Sequence, residues 1–282
     1  MTPQRQNLRI LRRLSVAGAL AATLLVTAAC GSDAARTGGS SSKPQAAAPT
    51  LAQVKKDGVI TVGTEGTYRP FTFHAKGNGA LTGYDVDVMR AVAAKLGVQA
   101  KFEETQWDAI FAGLDAGRFE AIANQVSITP ERTAKYAFST PYTVSPGVVV
   151  VSKDENDISS FADLKGKTTA QSLTSNWYEM AKKDGANVQP VEGWAQAVTL
   201  LKQGRVDATV NDRLTFLDYQ TTEHDTSLKV AAQTGDVAHN AIAFRSGSDS
   251  LVKAVDKALA DLKADGTLAR ISKKYFGEDV SG

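Results

Sequence analysis

The chain has 282 residues, which is enough for one large domain or two small ones. Its 32 Lys and Arg residues nearly balance 30 Asp and Glu residues, so no field of one sign favours a nucleic-acid partner. Hydrophobic residues make up 43% of the sequence, an ordinary share for a globular protein with a buried core. The single cysteine excludes an intrachain disulfide.

The N-terminal region has the pattern of a targeting segment. Four arginines precede an apolar stretch, 14–26, that is too short to span a bilayer comfortably. Small residues then lead to Cys30, an arrangement that resembles a bacterial lipoprotein signal with a lipidated cysteine; an ordinary secretory signal is the alternative. We expect residues 1–30 to be this signal and residues 31–50 to be a flexible linker, rich in Gly, Ser, Ala and Pro. The protein is then lipid-anchored at the outer face of the cell membrane.

Short apolar strands alternate with amphipathic helices from residue 51 onward, a pattern that predicts an α/β fold. The first predicted set is strand 59–63, helix 84–96, strand 100–103, helix 107–116 and strand 119–123. The second set is strand 147–151, strand 167–170, helix 176–183, strand 188–191, helix 194–203 and strand 206–210. Two further helices are predicted within 250–276, interrupted at Asp265-Gly266.

The two sets repeat each other. They share a tryptophan, a Gly-Arg pair and a polar pair in one register: Trp107 with Trp194, Gly117-Arg118 with Gly204-Arg205, and Asn124-Gln125 with Asn211-Asp212. Ligands of open α/β sheets bind outside the carboxyl ends of the strands, and ligand sites concentrate where domains meet. We therefore expect two lobes that close over a ligand in the cleft between them.

The sequence also indicates where the chain crosses between the lobes. A stretch with two prolines, 139–146, predicts the first crossing, and 235–241 predicts the return. The predicted domains are 51–144 for the first part of lobe one, 145–236 for lobe two and 237–282 for the return to lobe one. We expect the two C-terminal helices to pack on lobe one.

The stretch 121–139 contains an informative cation. It predicts the end of a buried strand, a polar loop at 124–127, and a helix that Thr129 caps and Pro130 begins. Arg132 lies in the first turn of this helix, where a cation opposes the helix dipole at a cost of about 0.3–1 kcal/mol. An anion held by the guanidinium and by free N–H groups of that turn is one explanation. A solvated surface arginine is the other.

A free amino acid presents an α-carboxylate and an α-ammonium. A site that removes it from water needs an arginine for the first group and a carboxylate for the second. Arg132 and Asp212 suit these roles, one in each lobe of the repeat. For Asp212, capping of the helix that begins at Arg213 is the alternative.

The remaining candidates follow the ends of predicted strands. Tyr68 and Trp107 are expected to stack on an aliphatic or sulfur-bearing ligand, whereas Trp177 and Trp194 are interpreted as core residues. The predicted ligand-binding residues are Glu65, Tyr68, Trp107, Asn124, Gln125, Ser127, Arg132, Thr174, Ser175, Asn176 and Asp212, with Cys30 as the lipidation site.

Patterns for metal binding and catalysis are missing from the sequence. The three histidines have no metal-ligand spacing, no serine lies in a nucleophile elbow, and no carboxylates form an obvious catalytic pair. We expect no metal, no cofactor and no enzymatic activity.

Several short motifs together resemble one family. They are Gly63-Thr64-Glu65, Tyr68-Arg69-Pro70-Phe71, Gly83-Tyr84-Asp85, Thr129-Pro130-Glu131-Arg132, Asp163-Leu164-Lys165-Gly166-Lys167, Gly204-Arg205-Val206-Asp207-Ala208 and Tyr275-Phe276-Gly277. From about residue 51 to 277 the chain resembles the solute-binding proteins of polar amino acid ABC importers, of periplasmic-binding-protein type II. The resemblance implies a two-lobed α/β fold with a ligand cleft between the lobes.

The resemblance also implies roles for particular residues. Arg132 matches the arginine that binds the α-carboxylate, and Asp212 matches the acid that binds the α-ammonium. The acid after Gly-Thr is usually Asp in the family, and this chain has Glu65 there. The segments 124–126, 171–176 and 211–214 look most like the cystine-binding branch, which favours L-cystine over another polar amino acid.

The implied function is a monomeric receptor outside the cytoplasm that delivers an amino acid to an ABC permease in the membrane. The alternatives are a receptor for glutamine, glutamate or arginine, and a dehydratase-like enzyme on the same fold, acting on prephenate or arogenate. A sensor ectodomain is a third reading.

Overall fold

The computed structural model describes residues 46–281. The α-helices in this range are α1 (Leu51–Asp57), α2 (Tyr84–Leu96), α3 (Trp107–Asp115), α4 (Pro130–Thr133), α5 (Asn176–Lys183), α6 (Trp194–Lys202), α7 (Arg213–Glu223), α8 (Asp249–Ala264) and α9 (Thr267–Phe276). The strands are β1 (Val59–Thr64), β2 (Thr67–Tyr68), β3 (Thr72–His74), β4 (Leu81–Thr82), β5 (Gln99–Glu104), β6 (Ala121–Ser127), β7 (Tyr136–Phe138), β8 (Thr143–Ser152), β9 (Thr168–Gln171), β10 (Asn187–Pro190), β11 (Ala208–Asp212) and β12 (Leu228–Arg245).

One nine-stranded sheet runs through the molecule in the order β10-β9-β11-β8-β12-β6-β1-β5, with β7 paired to β12. Strands β5, β1 and β6 are parallel, as are β10, β9 and β11. The antiparallel strands β8 and β12 join these two parallel groups. The fold is therefore two-lobed α/β, with lobe one built on β1, β5 and β6 and lobe two on β9, β10 and β11.

Strand β12 is 18 residues long and belongs to both lobes. Its first part pairs with β8 from Leu228 to Gln233, and its last part pairs with β6 and β7. Between them, Val237 to Asn240 pair with Thr143 to Pro146, so two extended segments lie side by side where the crossings were predicted. The domain boundaries at residues 145 and 237 stay a prediction.

Each lobe has its own apolar packing. In lobe one, α2 packs against α8 and α9, and Leu251, Val255, Leu259 and Leu262 are buried in the same cluster as Val88 and Met89. In lobe two, the valines of β8 are buried on both faces of the sheet, against α6 on one side and α5 on the other. The C-terminal helices thus pack on lobe one as expected.

The polar stretch 124–127, predicted as a loop, is instead the second part of β6. Val126 and Ser127 pair with Ala241 and Asn240 of β12, which satisfies their backbone groups in the interior. Gln125 has a φ of 51°, and the register between β6 and β12 shifts next to it. The prediction failed because the partner strand lies more than 100 residues further along the chain.

Residues 1–45 lie outside the described range, and with them the predicted signal, Cys30 and most of the predicted linker. Residues 46–50 have no regular secondary structure, and Thr50 caps α1. Across residues 46–281, no helix is both long enough and apolar enough to cross a membrane.

Candidate functional site

A cavity of about 530 Å³, partly open to solvent, lies beside the carboxyl ends of β1, β9 and β11. Its walls come from both lobes. Seven of the predicted ligand-binding residues line it: Glu65, Tyr68, Trp107, Asn124, Gln125, Ser175 and Asn176. Gln171, Ser172, Thr209 and Asn211 of lobe two line it as well. The candidate cleft is therefore a cavity between two lobes, with both polar and aromatic lining residues.

Trp177 and Trp194, interpreted from the sequence as core residues, also line this cavity. Trp177 is 9% exposed and packs in the core of lobe two as well, so that interpretation was incomplete. Both residues lie in the first turn of a helix, α5 or α6, that begins next to a strand end. A tryptophan in that position was the available signal.

Glu65 and Asn124 form a two-bond pair in the cavity wall. The Asn124 amide donates to Glu65 Oε2 at 2.5 Å, and the Glu65 backbone N–H donates to Asn124 Oδ1 at 2.8 Å. Burial raises the pKa of Glu65 to about 7, and the charges of Asp108 and Glu192 add to the rise. Glu65 therefore changes charge near neutral pH.

Tyr68 connects the two lobes across the cavity. Its hydroxyl donates to Asn211 Oδ1 at 2.8 Å and accepts from Thr215 Oγ1 at 3.1 Å. Burial raises the pKa of Tyr68 well above its ordinary value, so the hydroxyl stays a donor. The tyrosine was predicted as a stacking residue, and its hydroxyl makes a contact between the lobes that the prediction did not include.

Arg132 is buried next to the cavity but does not line it. Thr129 caps helix α4, and Pro130 is its first residue, as predicted. The helix has only four residues, so the helix dipole invoked for Arg132 is small. The guanidinium donates to the carbonyls of Ser127 at 2.9 Å and Thr174 at 3.3 Å. Arg132 is not the solvated surface residue of the alternative interpretation.

Two aromatic rings lie next to the charged group of Arg132. Its guanidinium lies 5.3 Å from the ring centre of Trp107 and 5.5 Å from that of Phe111. Burial lowers its pKa to about 10, which leaves it protonated at neutral pH. A buried cation whose hydrogen bonds go to carbonyl oxygens retains a favourable interaction for an incoming carboxylate.

Asp212 is also buried outside the cavity lining. Its Oδ1 accepts from Ser145 Oγ at 2.6 Å and from the Leu214 backbone N–H at 2.8 Å, so the carboxylate caps α7. Burial raises the pKa of Asp212 to about 6. The capping alternative is confirmed, and the role in ammonium binding stays a prediction.

Three of the remaining predicted residues, Gln125, Ser127 and Thr174, belong to two networks. Gln125 donates from its backbone and its amide to the buried carboxylate of Asp85, both at 2.7 Å, and accepts from Asn240. Ser127 donates to the other side of the Asn240 amide at 2.8 Å. Burial raises the pKa of Asp85 to about 7. This network fixes the end of β6 against β12.

The second network joins the lobes at the loop before α5. Thr174 donates from its backbone and hydroxyl to Asp108 Oδ1 at 2.9 and 2.7 Å, and Leu173 N–H donates to Asp108 Oδ2. Ser175 caps α5 as predicted. Sequence reasoning missed Asp108, whose only signal was an acid in the first turn of α3. Across residues 46–281, no cluster of three or more His, Cys, Asp or Glu side chains is arranged to hold a metal ion.

Comparison with known proteins finds relatives that are amino-acid-binding proteins. The L-cystine-binding protein TcyA of Bacillus subtilis is 55% identical over 230 residues, covering 82% of this chain and 85% of the relative. The L-cystine solute receptor of Neisseria gonorrhoeae, in its unliganded open conformation, is 48% identical with a TM-score of 0.57, covering 82% of this chain and 99% of the receptor. An ancestral arginine-binding protein bound to arginine is 36% identical with a TM-score of 0.73, covering 78% and 99%.

One protein-family model matches most of the folded chain. The match runs over residues 60–278, from β1 to the end of α9 and the two residues beyond. It includes both lobes, the cavity, Arg132 and Asp212. The chain belongs to the bacterial extracellular solute-binding proteins, family 3.

Proposed function

We propose that this protein is the substrate-binding component of an ABC importer and that it binds L-cystine. The observation that supports this most directly is the cavity between two lobes, with polar and aromatic lining residues, in a chain 55% identical to an L-cystine-binding protein. A member of an extracellular solute-binding family works outside the cytoplasm. The ligand is then captured there and released to a membrane permease.

The binding mechanism rests on two charges from different lobes. Arg132 is to bind the α-carboxylate, exchanging the 3.3 Å bond to the Thr174 carbonyl for a charge-assisted one. Asp212 is to bind the α-ammonium, which also stabilises its ionised form. Neither charge alone satisfies a zwitterion, so the ligand favours the closed arrangement of the lobes. Micromolar binding requires about 8 kcal/mol in total.

We further propose that the protein is a monomer, anchored by lipid on Cys30 and tethered by the segment before residue 51. A receptor held in this way stays close to its permease while both lobes remain free to open. Incorporation of labelled fatty acid in wild type but not in Cys30→Ser is the expected result for the anchor.

We propose no catalytic activity for this protein. The dehydratase alternative has one observation in its favour: burial raises the pKa of Glu65 to about 7, which suits a general acid in the cleft. A contact of Glu65 disfavours the general-acid role, because its carboxylate already accepts a hydrogen bond from the Asn124 amide. Turnover of prephenate or arogenate by the purified protein would favour the enzyme over the receptor.

The test of the receptor is calorimetric titration with L-cystine of protein that was unfolded and refolded to remove carried ligand. We expect one site in the wild type and a loss of affinity of at least a hundredfold in Arg132→Ala and in Asp212→Asn, since each removes a charge from the clamp. Arg118→Ala, at an exposed arginine of lobe one, is the matched control and should bind normally.

Different outcomes of the titrations would reject the receptor, its ligand or the two-charge clamp. Binding of glutamine, glutamate or arginine without binding of L-cystine would keep the receptor and reject the ligand. Binding of none of these amino acids would reject the receptor. Normal affinity in both charge variants would reject the two-charge clamp alone.

A further inference from the structure

Two buried hydrogen-bond donors lack an acceptor, and the residues that carry them line the cavity. Trp107 Nε1 and Gln171 Nε2 find no partner among the residues the structure describes. Trp107 is 6% exposed and Gln171 is 4% exposed. Burying a donor without an acceptor is costly, so a ligand acceptor that reaches either nitrogen would be bound with a gain.

The two donors come from different lobes, and each of the two residues makes a contact within its own lobe. Trp107 begins α3 in lobe one and contacts the Phe111 ring edge-on at 5.9 Å. Gln171 ends β9 in lobe two, where its carbonyl accepts from Val191 N–H at 3.1 Å. The Arg132 guanidinium, which is assigned to the first head of the ligand, lies 5.3 Å from the centre of the Trp107 ring.

A second cavity next to the first one has acidic and amide lining residues. This neighbouring cavity, of about 550 Å³, shares Glu65, Tyr68, Gly193 and Trp194 with the first one. It is also lined by Glu192 and by the amides of Gln106 and Gln196, and no lysine or arginine lines it. Carboxylates with amides and without a cation suit an ammonium group.

We propose that the cavity recognises the second amino-acid head of a two-headed ligand, with Trp107 Nε1 and Gln171 Nε2 donating to its carboxylate and Glu65 accepting from its ammonium. This rests on the proposed function and deepens it. The first head belongs to Arg132 and Asp212, which do not line the cavity. The cavity is therefore the space that the rest of the ligand enters.

The assignment explains how ligands would be discriminated. The side chain of arginine ends in donors only, so it would leave Trp107 and Gln171 unpaired. A second α-carboxylate gives both donors an anionic acceptor. Trp107 and Gln171 are then specificity-determining residues, and the indole N–H does more than the stacking that the sequence predicted.

The test compares L-cystine with S-methylthio-L-cysteine, which keeps the disulfide and one amino-acid head. Wild type is expected to bind the one-headed compound at least tenfold more weakly. Trp107→Phe keeps an aromatic side chain, although a smaller one, and removes the N–H; Gln171→Leu removes the amide. Each is expected to lose about tenfold in affinity for L-cystine and less than twofold for the one-headed compound.

Controls address folding and position. Gln189→Leu, at an exposed residue of the neighbouring strand β10, should bind both compounds normally. Thermal melting shows whether each variant is folded. If Trp107→Phe does not fold, Gln171→Leu decides, together with Gln171→Glu, in which a new carboxylate should repel L-cystine more strongly than Leu does.

Each remaining outcome has a definite meaning. Equal losses for both compounds would overturn the assignment, because the donors would then serve the shared head. Unchanged affinities in Trp107→Phe and Gln171→Leu would overturn it as well, since water would then satisfy the donors. Failure of the wild type to bind L-cystine at all would instead overturn the proposed function on which the assignment rests.

Discussion

The carboxyl group of Glu65 links the charge of the cavity to pH. Burial raises its pKa to about 7, so at pH 6 most of the population is protonated and at pH 7.5 most is ionised. Only the ionised form attracts an ammonium. The affinity for a ligand whose ammonium lies next to Glu65 must therefore rise with pH through this range.

We expect the affinity for L-cystine to rise about fifteenfold between pH 6.0 and pH 7.5, because the ionised fraction of Glu65 rises about eightfold and that of Asp212 about twofold. Glu65→Gln should bind more weakly and show a flatter profile, because it cannot ionise. Calorimetric titrations of both proteins at matched ionic strength measure this. Profiles with the same slope in the two proteins would show that another group is responsible.

For Arg132 and Asp212, the sequence predicted which residue types form the site but did not predict what surrounds them in the fold. Their types and spacing allowed a charge clamp to be predicted. Their contacts were not predictable, because Ser127, Thr174 and Ser145 approach them only in the folded chain.

At the scale of elements, local signals were sufficient for some helices. Helices α2 and α5 have the predicted bounds, since Gly97 ends one in a left-handed conformation and Ser175 caps the other. Strand β6 was cut short in the prediction, because its polar second part is stabilised by pairing with β12. A polar strand has no local signal that separates it from a loop.

Helix α8 is expected to stabilise lobe one without contributing to ligand binding. Leu259 is 3% exposed in the core that α8 shares with α2. Leu259→Ala should lower the free energy of unfolding by about 2–5 kcal/mol and leave L-cystine affinity unchanged. Urea unfolding followed by circular dichroism measures this.

The control for this prediction is Lys253→Ala, at an exposed position of the same helix, which should change stability by less than about 0.5 kcal/mol. If Leu259→Ala loses no more than this control, the packing of α8 does not limit the stability of the lobe.

At the scale of the whole molecule, the lobes are held together by contacts on both sides of the cleft. Asp108 accepts from Leu173 and Thr174 on one side, and Arg69 pairs with Asp218 at 3.2 Å on the other. The TM-score is higher with the arginine-bound protein, 0.73, than with the open cystine receptor, 0.57, although the receptor is more similar in sequence. The arrangement of the lobes is therefore more like that of the arginine-bound protein than like that of the open receptor.

Asp108→Ala should favour opening, because it removes the acceptor for three donors of lobe two. We expect about fivefold weaker binding of L-cystine and a larger radius of gyration of the free protein in solution scattering. Asp157→Ala is the matched control, since the Asp157 side chain is 84% exposed. Wild-type affinity together with wild-type scattering would show that Asp108 does not hold the lobes closed.

The sequence by itself determined the α/β fold and the repeat that gives two lobes, and it predicted a charge clamp of Arg132 and Asp212. These follow from hydrophobic periodicity and from motifs whose members are close together in the chain. Tertiary structure alone decided that Trp177 and Trp194 line the cavity and that Trp107 and Gln171 keep unpaired donors there. The physical reason is that burial and hydrogen-bond pairing depend on neighbours that are distant in sequence and meet only when the two lobes come together.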